Sequence, residues 1–288
     1  MGVAPQADDE QVKLWNGAAG RAWVETREVL EGMFRPLEEL LVEAVSDAAA
    51  SRVLDIGCGT GATTFAVAHV LGGRQVHCTG IDISEPMIAA ARARAEREGR
   101  PVSFICADAQ THPFAPASFD MIISRLGVMF FADPVQAFAN LRRAARPGAA
   151  LRFIAWRGAA ENPFMTTAEQ AAKPLLPDLP ARRPDAPGQF GFADRKRVGN
   201  ILEDSGWDAI AIEPVDVALG FPASELARYV SWLGPVGTML QAMEEPHRTQ
   251  VIETVCGAFD RYIHGNDIRF TAACWMVAAR APAAAAHG

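Results

Sequence analysis

This sequence predicts an α/β fold, a mostly parallel sheet with helices on both faces, and three observations carry that prediction. Apolar runs of strand length alternate with helical patterns from about residue 51 to residue 156. Residues 53–64, VLDIGCGTGATT, read as a buried strand that ends in a glycine-rich turn and opens a helix. Acids then stand at the ends of successive strand-like runs, Asp82 in GIDIS and Asp108 in VSFICADA, and FDMIIS at 119–124 supplies a fourth run.

The elements follow in order. Residues 1–10 lack an apolar pattern and read as disordered, and residues 11–50 carry two helical patterns, the second with Leu37, Leu40, Leu41, Ala44 and Val45 on one face. Ser84 is placed to cap a helix running through Met87, Ile88 and Ala91 to a stop at Gly99. Asp133 and Pro134 open another, with Val135, Phe138 and Leu141 inward, and Pro147-Gly148 ends it. From 161 to 191, Pro163, Pro174, Pro177, Pro180, Pro184 and Pro187 interrupt any regular pattern, so this stretch reads as an insertion. A helix at 195–206, a strand at 207–217, two or more helices within 224–263 and a last strand at 268–280 complete the chain.

The resulting plan is an N-terminal helical lid at 1–50, a ligand-binding core at 51–160, the proline-rich insertion at 161–191, a continuation of the core at 192–222, a helical cap at 223–264, and the last core strand with its tail at 265–288. Cap and insertion are expected above the carboxyl ends of the strands, where open α/β sheets bind their ligands.

Composition narrows the partners. Half of the 288 residues are apolar, enough for a sizeable core. With 27 basic against 34 acidic residues the net charge is −7, which gives no basic footprint for a nucleic acid. Cys58, Cys78, Cys106, Cys256 and Cys274 form no closely spaced metal pattern and read as buried thiols of a reducing compartment. The scattered histidines contain no His-x-x-x-His pair, so metal is not indicated. No apolar run approaches the length of a membrane span, and no basic stretch followed by an apolar one opens the sequence; a cytoplasmic protein is expected, as monomer or homodimer.

The turn itself is selective. Glycines at every second position bring the backbone close to a ligand, and the helix that follows offers free N–H groups to an anionic group. Dinucleotide sites use G-x-G-x-x-G, whereas this turn is G-x-G-x-G with Asp55 two residues before the first glycine, an acid that a pyrophosphate would disfavour. A carboxylate at the end of the second strand, Asp82, is placed to hold both hydroxyls of a ribose.

Taken in this order, the glycine motif at 53–64, Asp82, the Asp108-Ala109 pair, the Phe119-Asp120 strand and LRRAARPG at 141–148 resemble the class I S-adenosylmethionine-dependent methyltransferases. Within them the chain is similar to the small-molecule group that includes the ubiquinone and menaquinone C-methyltransferases, over about half its length. The resemblance implies a Rossmann-like sheet of seven strands, S-adenosylmethionine as cofactor with S-adenosylhomocysteine as product, and a small-molecule acceptor methylated on carbon, oxygen or nitrogen. Carried over by residue, it implies that Gly57, Gly59 and Gly61 line the methionine part while Asp55 places its ammonium. Asp82 would take the ribose, Asp108 the adenine amino group, the Ala109 backbone N–H the ring, and Ile83 and Met87 the adenine faces. Ser124 joins the cofactor set, and Trp15, with Asn16 and Trp23, resembles a lid that closes over it.

Methyl transfer from a sulfonium needs few catalytic groups, because the cofactor is already activated. His112, where the quinone enzymes carry an aliphatic residue, is either a general base or substrate contact, or a loop histidine with a local hydrogen bond. Arg125 either binds an acidic or carbonyl-bearing acceptor or pairs with a carboxylate. Met129, Trp156, Phe164 and Trp232 are substrate-wall candidates, with Asn162 beside them. Two other functions compete: a cofactor-binding protein with a regulatory or non-methylating role, and an NAD-dependent dehydrogenase. Against the dehydrogenase, the third glycine lies one residue early and no tyrosine–lysine pair appears.

Overall fold

The computed structural model describes residues 5–47, 50–71, 76–183 and 186–283. The chain opens with α1 (Pro5–Asn16), α2 (Ala18–Glu25) and α3 (Arg27–Asp47). Helix therefore begins at Pro5, inside the stretch expected to be disordered, and three helices stand where two patterns were read. Residues 1–4, Pro184 and the end of the alanine-rich tail lie outside the described residues.

Alternation of strand and helix follows: β1 (Arg52–Ile56), α4 (Ala62–Val70), β2 (His77–Asp82), α5 (Glu85–Glu98), β3 (Val102–Cys106), β4 (Phe119–Arg125), α6 (Pro134–Ala144) and β5 (Ala145–Trp156). Period-two side-chain direction sorts these strands onto two faces. Leu54, Ile56, Ile81 and Ile122 enter the larger core, while Val53, Cys78, Met121 and Ile123 pack on the other face with Val67 of α4. Asp120 fixes the start of β1 to β4 by accepting from the backbone N–H groups of Ser51 (3.1 Å) and Arg52 (2.9 Å).

The second half adds α7 (Pro163–Ala172), α8 (Arg195–Asp204), β6 (Asp208–Pro222), α9 (Leu226–Trp232), α10 (Gly234–Leu240), α11 (His247–Ala258), β7 (Ile263–His264) and β8 (Asp267–Arg280). The proline-rich stretch is thus partly helical: Pro163 occupies the first turn of α7, where a missing N–H costs nothing. Strand order is β3-β2-β1-β4-β5-β8-β6, parallel through β5, with β8 antiparallel to both its neighbours. The expected seven strands lie along that path, and the two-residue β7 pairs with β8 beside them.

Several local expectations change in tertiary context. Ser84 occupies the position before α5, but its hydroxyl donates to the Trp15 carbonyl (2.7 Å) and does not cap the helix. Gly99 does end α5 in the left-handed conformation, at φ +59°. Cys106 is exposed on the edge strand β3 and Cys256 is half-buried, so only Cys58, Cys78 and Cys274 are buried thiols.

Candidate functional site

Strand order places β1 beside β4, with β2 on the other side of β1, and the loops leaving these strands build a cleft at their carboxyl ends. The Gly57 and Cys58 amides both donate to the Ile81 carbonyl (2.9 and 3.2 Å), which holds the glycine turn against β2 after the strand has ended. Gly57 has φ +63° and Gly59 φ +55°. A Cβ on Gly57 would lie 2.7 Å from the Gly127 Cα, and one on Gly127 would lie 2.7 Å from the Ile56 carbonyl oxygen. Glycine at both positions is therefore what lets the β1 and β4 loops touch.

Just before Gly127, Leu126 adopts φ +62°, a conformation that costs a branched side chain energy and is held here by its N–H bond to the Ile154 carbonyl (3.0 Å).

Asp82 is 8% exposed at the cleft edge, its Oδ2 accepting from the Gly59 amide (2.8 Å) and its Oδ1 from the Ser84 amide (2.9 Å). Burial pushes its pKa up, and these amides pull it back toward the charged form. The Asp108 Oδ1 accepts from the Gln110 amide (2.8 Å).

Among the residues expected at the cofactor, Trp15, Gly57, Gly59, Asp82, Ile83, Met87, Asp108 and Ala109 line this cleft. Asp55, Gly61 and Ser124 do not. Asp55 is 2% exposed behind the loop, where its carboxylate accepts from the Thr64 hydroxyl (2.7 Å) and burial raises its pKa to about 7. Gly61 turns away, and a Cβ there would meet the rings of Phe104 (2.8 Å) and Phe65 (2.9 Å). Ser124 is wholly buried: its hydroxyl donates to the Ile56 carbonyl (2.8 Å) and accepts from the Gly127 amide (3.2 Å), bracing the two loops from beneath. All three support the wall from behind.

His112 likewise does not line the cleft; its ring meets Phe114 edge-on at 4.6 Å, and its backbone carbonyl accepts from Asn140 (2.9 Å). Arg125 does line it, with Nη1 3.9 Å from Glu38 and its guanidinium over the Phe34 ring at 5.7 Å. Burial lowers the Arg125 pKa, and Glu38 and Asp55 oppose that shift. Burial in turn raises the Glu38 pKa.

Gln11, Cys58, Leu126 and Gly127 also line the cleft and escaped the sequence reading. A glycine two residues beyond a strand end is the signal that could have found Gly127. Nothing in the sequence could have signalled Gln11, which the docking of α1 brings in. Its Oε1 is buried and meets no donor among the described residues.

A second cavity of about 480 Å³ adjoins the first and shares Trp15, Trp23, Leu126 and Phe130 with it. Met129, Trp156, Phe164 and Trp232, the residues expected at the substrate, line this chamber together. Asn162 is instead structural, donating to the Ala273 carbonyl (2.9 Å) and accepting from the Ala273 amide (2.9 Å). The cleft is narrower, about 120 Å³, with Gln11 and Trp15 of α1 in its wall. Asn16 and Ser84 pin the end of that helix: Asn16 donates to the Ile83 carbonyl (3.0 Å) and accepts from the Glu85 amide (2.8 Å). Among the described residues no group of three or more His, Cys, Asp or Glu is placed to hold a metal ion, and no helix is long and apolar enough to cross a membrane.

Residues 53–148 match a family model described as "Methyltransferase domain". The chain is 40% identical over 109 residues to the aklanonic acid methyltransferase DauC of Streptomyces sp. (strain C5), a match covering 37% of this chain and 49% of that protein. It thus spans about half the length of that curated relative. It is 27% identical over 213 residues to the demethylmenaquinone methyltransferase of Renibacterium salmoninarum, covering 70% of this chain and 86% of that one. Among solved structures, the YcgJ protein from Bacillus subtilis superposes with a TM-score of 0.55 at 19% identity, over 86% of this chain and 98% of that one, a likeness of fold.

Proposed function

We propose, from a methyltransferase-domain match centred on a glycine cleft with an aromatic chamber behind it, that this protein is an S-adenosylmethionine-dependent methyltransferase acting on a small molecule. The observation that carries the reading is Asp82, a buried carboxylate presented to the cleft and held by the Gly59 and Ser84 amides beside the glycine turn. The residues fit such a cofactor on a further count: the unpaired Gln11 oxygen in the cleft wall calls for a donor, and the cofactor's amino groups are donors.

When bound, the cofactor supplies an electrophilic methyl group on a positively charged sulfur. The protein's own part is to position and to exclude water. Asp82 serves the ribose, Asp108 and the Ala109 amide the adenine, with Ile83 and Met87 against its faces. Arg125, on the cleft wall with Glu38 as counter-ion, is assigned to the carboxylate of the amino-acid tail and not to the acceptor, because it lies outside the chamber lining. Trp15 lines both cavities and is assigned to an N-terminal helical lid over them. The acceptor enters the chamber between the insertion and the cap and meets the cofactor at Leu126 and Phe130. Unpaired cysteines support a reducing, cytoplasmic setting.

Calorimetric titration with S-adenosylmethionine, S-adenosylhomocysteine and NAD tests this. Binding of the first two and not of NAD is expected; NAD binding alone would overturn the reading. Turnover with an acceptor then separates an enzyme from a regulatory binder.

A further inference from the structure

The docked N-terminal helix carries one buried polar atom that the protein itself does not use. Among the described residues, Gln11 Oε1 is the buried side-chain oxygen or nitrogen that meets no partner. The cleft's other glutamine shows the ordinary case, since Gln110 Oε1 accepts from the Asp133 amide (2.8 Å). An acceptor shut away from water without a donor destabilises the fold, so a glutamine at this place is explained by a donor that arrives with a ligand.

Helix geometry turns this residue to the cleft. Gln11 and Trp15 stand one turn apart on α1 and share a face, and both line the cleft, whereas Val12 and Leu14 are 40% and 41% exposed. The helix is pinned at its far end: Ser84 donates to the Trp15 carbonyl (2.7 Å), and Asn16 bonds to the Ile83 carbonyl (3.0 Å) and the Glu85 amide (2.8 Å). Before Gln11, Glu10 meets Arg183 at 3.8 Å, an exposed pair that adds little hold. Thus α1 is fastened to the chain just after β2, beside Asp82 and Ile83, which places its face over the nucleoside half of the cleft.

The cofactor brings a countable set of donors to that half. Its ribose has two hydroxyls, both assigned to Asp82, and its adenine amino group has two hydrogens, of which Asp108 accepts one. One amino hydrogen is left over. The ammonium of the tail belongs instead with the glycine turn and Arg125.

We infer that Gln11 Oε1 accepts the second hydrogen of the adenine amino group, so that the cofactor itself completes the docking of α1 over the cleft. This rests on the methyltransferase reading. Trp15, one turn on, lines both cavities and meets Phe130 edge-on at 5.0 Å, so the same bond steadies the partition between cleft and chamber. Gln11 is on this view a residue that determines specificity for adenine.

The test measures by calorimetry, on the full chain and on Gln11→Met, the affinities for S-adenosylhomocysteine, for methylthioadenosine, and for the S-adenosylhomocysteine analogue with hydrogen in place of the adenine amino group. Methionine keeps the length and helix propensity of glutamine and removes the acceptor. The variant should bind the first two ligands about tenfold more weakly, the size of one neutral hydrogen bond, and the desamino analogue as well as the original chain does. Without ligand it should melt no lower than the original, because an unpaired buried oxygen is gone; a residue that merely packs would give the reverse, a lower melt with affinities unchanged. Equal S-adenosylhomocysteine affinity of the two proteins, a loss confined to S-adenosylhomocysteine, or an equal loss on the desamino analogue would each overturn the inference and leave the cofactor reading standing. If the original chain binds none of the three ligands, the cofactor reading falls and the inference with it.

Discussion

Replacing Asp55 by asparagine is expected to remove a pH-dependent destabilisation that burial builds in behind the glycine turn. The carboxyl is 2% exposed and its pKa stands at about 7, chiefly because burial penalises the charge; the Thr64 hydroxyl and Arg125 offset only part of this. In the unfolded chain an aspartate titrates near about 3.9. Below about pH 4 both states hold the proton and the group contributes nothing. Between there and about pH 7 the folded state keeps a proton that the unfolded state has released, so stability falls as pH rises, by about 1.4 kcal/mol per pH unit. The full effect is about 4 kcal/mol and levels off above the folded pKa. Asparagine keeps an oxygen for the Thr64 hydroxyl and carries no charge. Urea unfolding of both proteins from about pH 5 to about pH 8 should therefore show the variant gaining about 3 kcal/mol on the original chain across that range. Glu38 and Asp82, whose pKa values are also raised, are present in both proteins, so the difference between the curves isolates Asp55 together with its coupling to those two groups. Two curves separated by a constant offset would refute the reasoning.

Other perturbations probe separate parts of the site. Asp82→Ala should weaken S-adenosylhomocysteine binding by about 1–3 kcal/mol, read by calorimetry, and normal affinity would remove the ribose assignment. Gly127→Ala would put a Cβ 2.7 Å from the Ile56 oxygen and 2.8 Å from the Gly57 Cα, backbone atoms that cannot turn aside. A lower melting temperature, equivalent to about 1–3 kcal/mol, is expected together with weaker cofactor binding, and an unchanged melt would show that the loops do not touch. His112→Ala should leave turnover of any acceptor unchanged, since the ring packs on Phe114 away from the cleft; a lost rate would restore its role as a base. Asp120→Ala should cost about 1–2 kcal/mol in urea unfolding by releasing the Ser51 and Arg52 amides, and equal stability would deny that clamp any weight.

The alternation of apolar runs with helices, the left-handed glycines of the turn and the acids at strand ends are local in sequence, and by themselves they determined the parallel sheet and most of the cleft. Periodicity reports which face of an element is buried, and glycine spacing reports where backbone must bend or approach; neither needs a distant partner to be read. What touches what across many residues was another matter. That Asp55 and Ser124 brace the loops from behind depends on the pleat at β1 and β4 meeting Thr64 and the Gly127 amide. Ser84 looked like a helix cap because a serine before a helix usually is one, and only the docking of α1 diverted its hydroxyl to Trp15. Arg125 was legible as a charge needing a partner, but the choice between cleft and chamber fell to α3, which brings Glu38 and Phe34 to it. The chamber itself gathers Trp23, Trp156, Phe164 and Trp232 from separate stretches of chain, and no local pattern records that they meet.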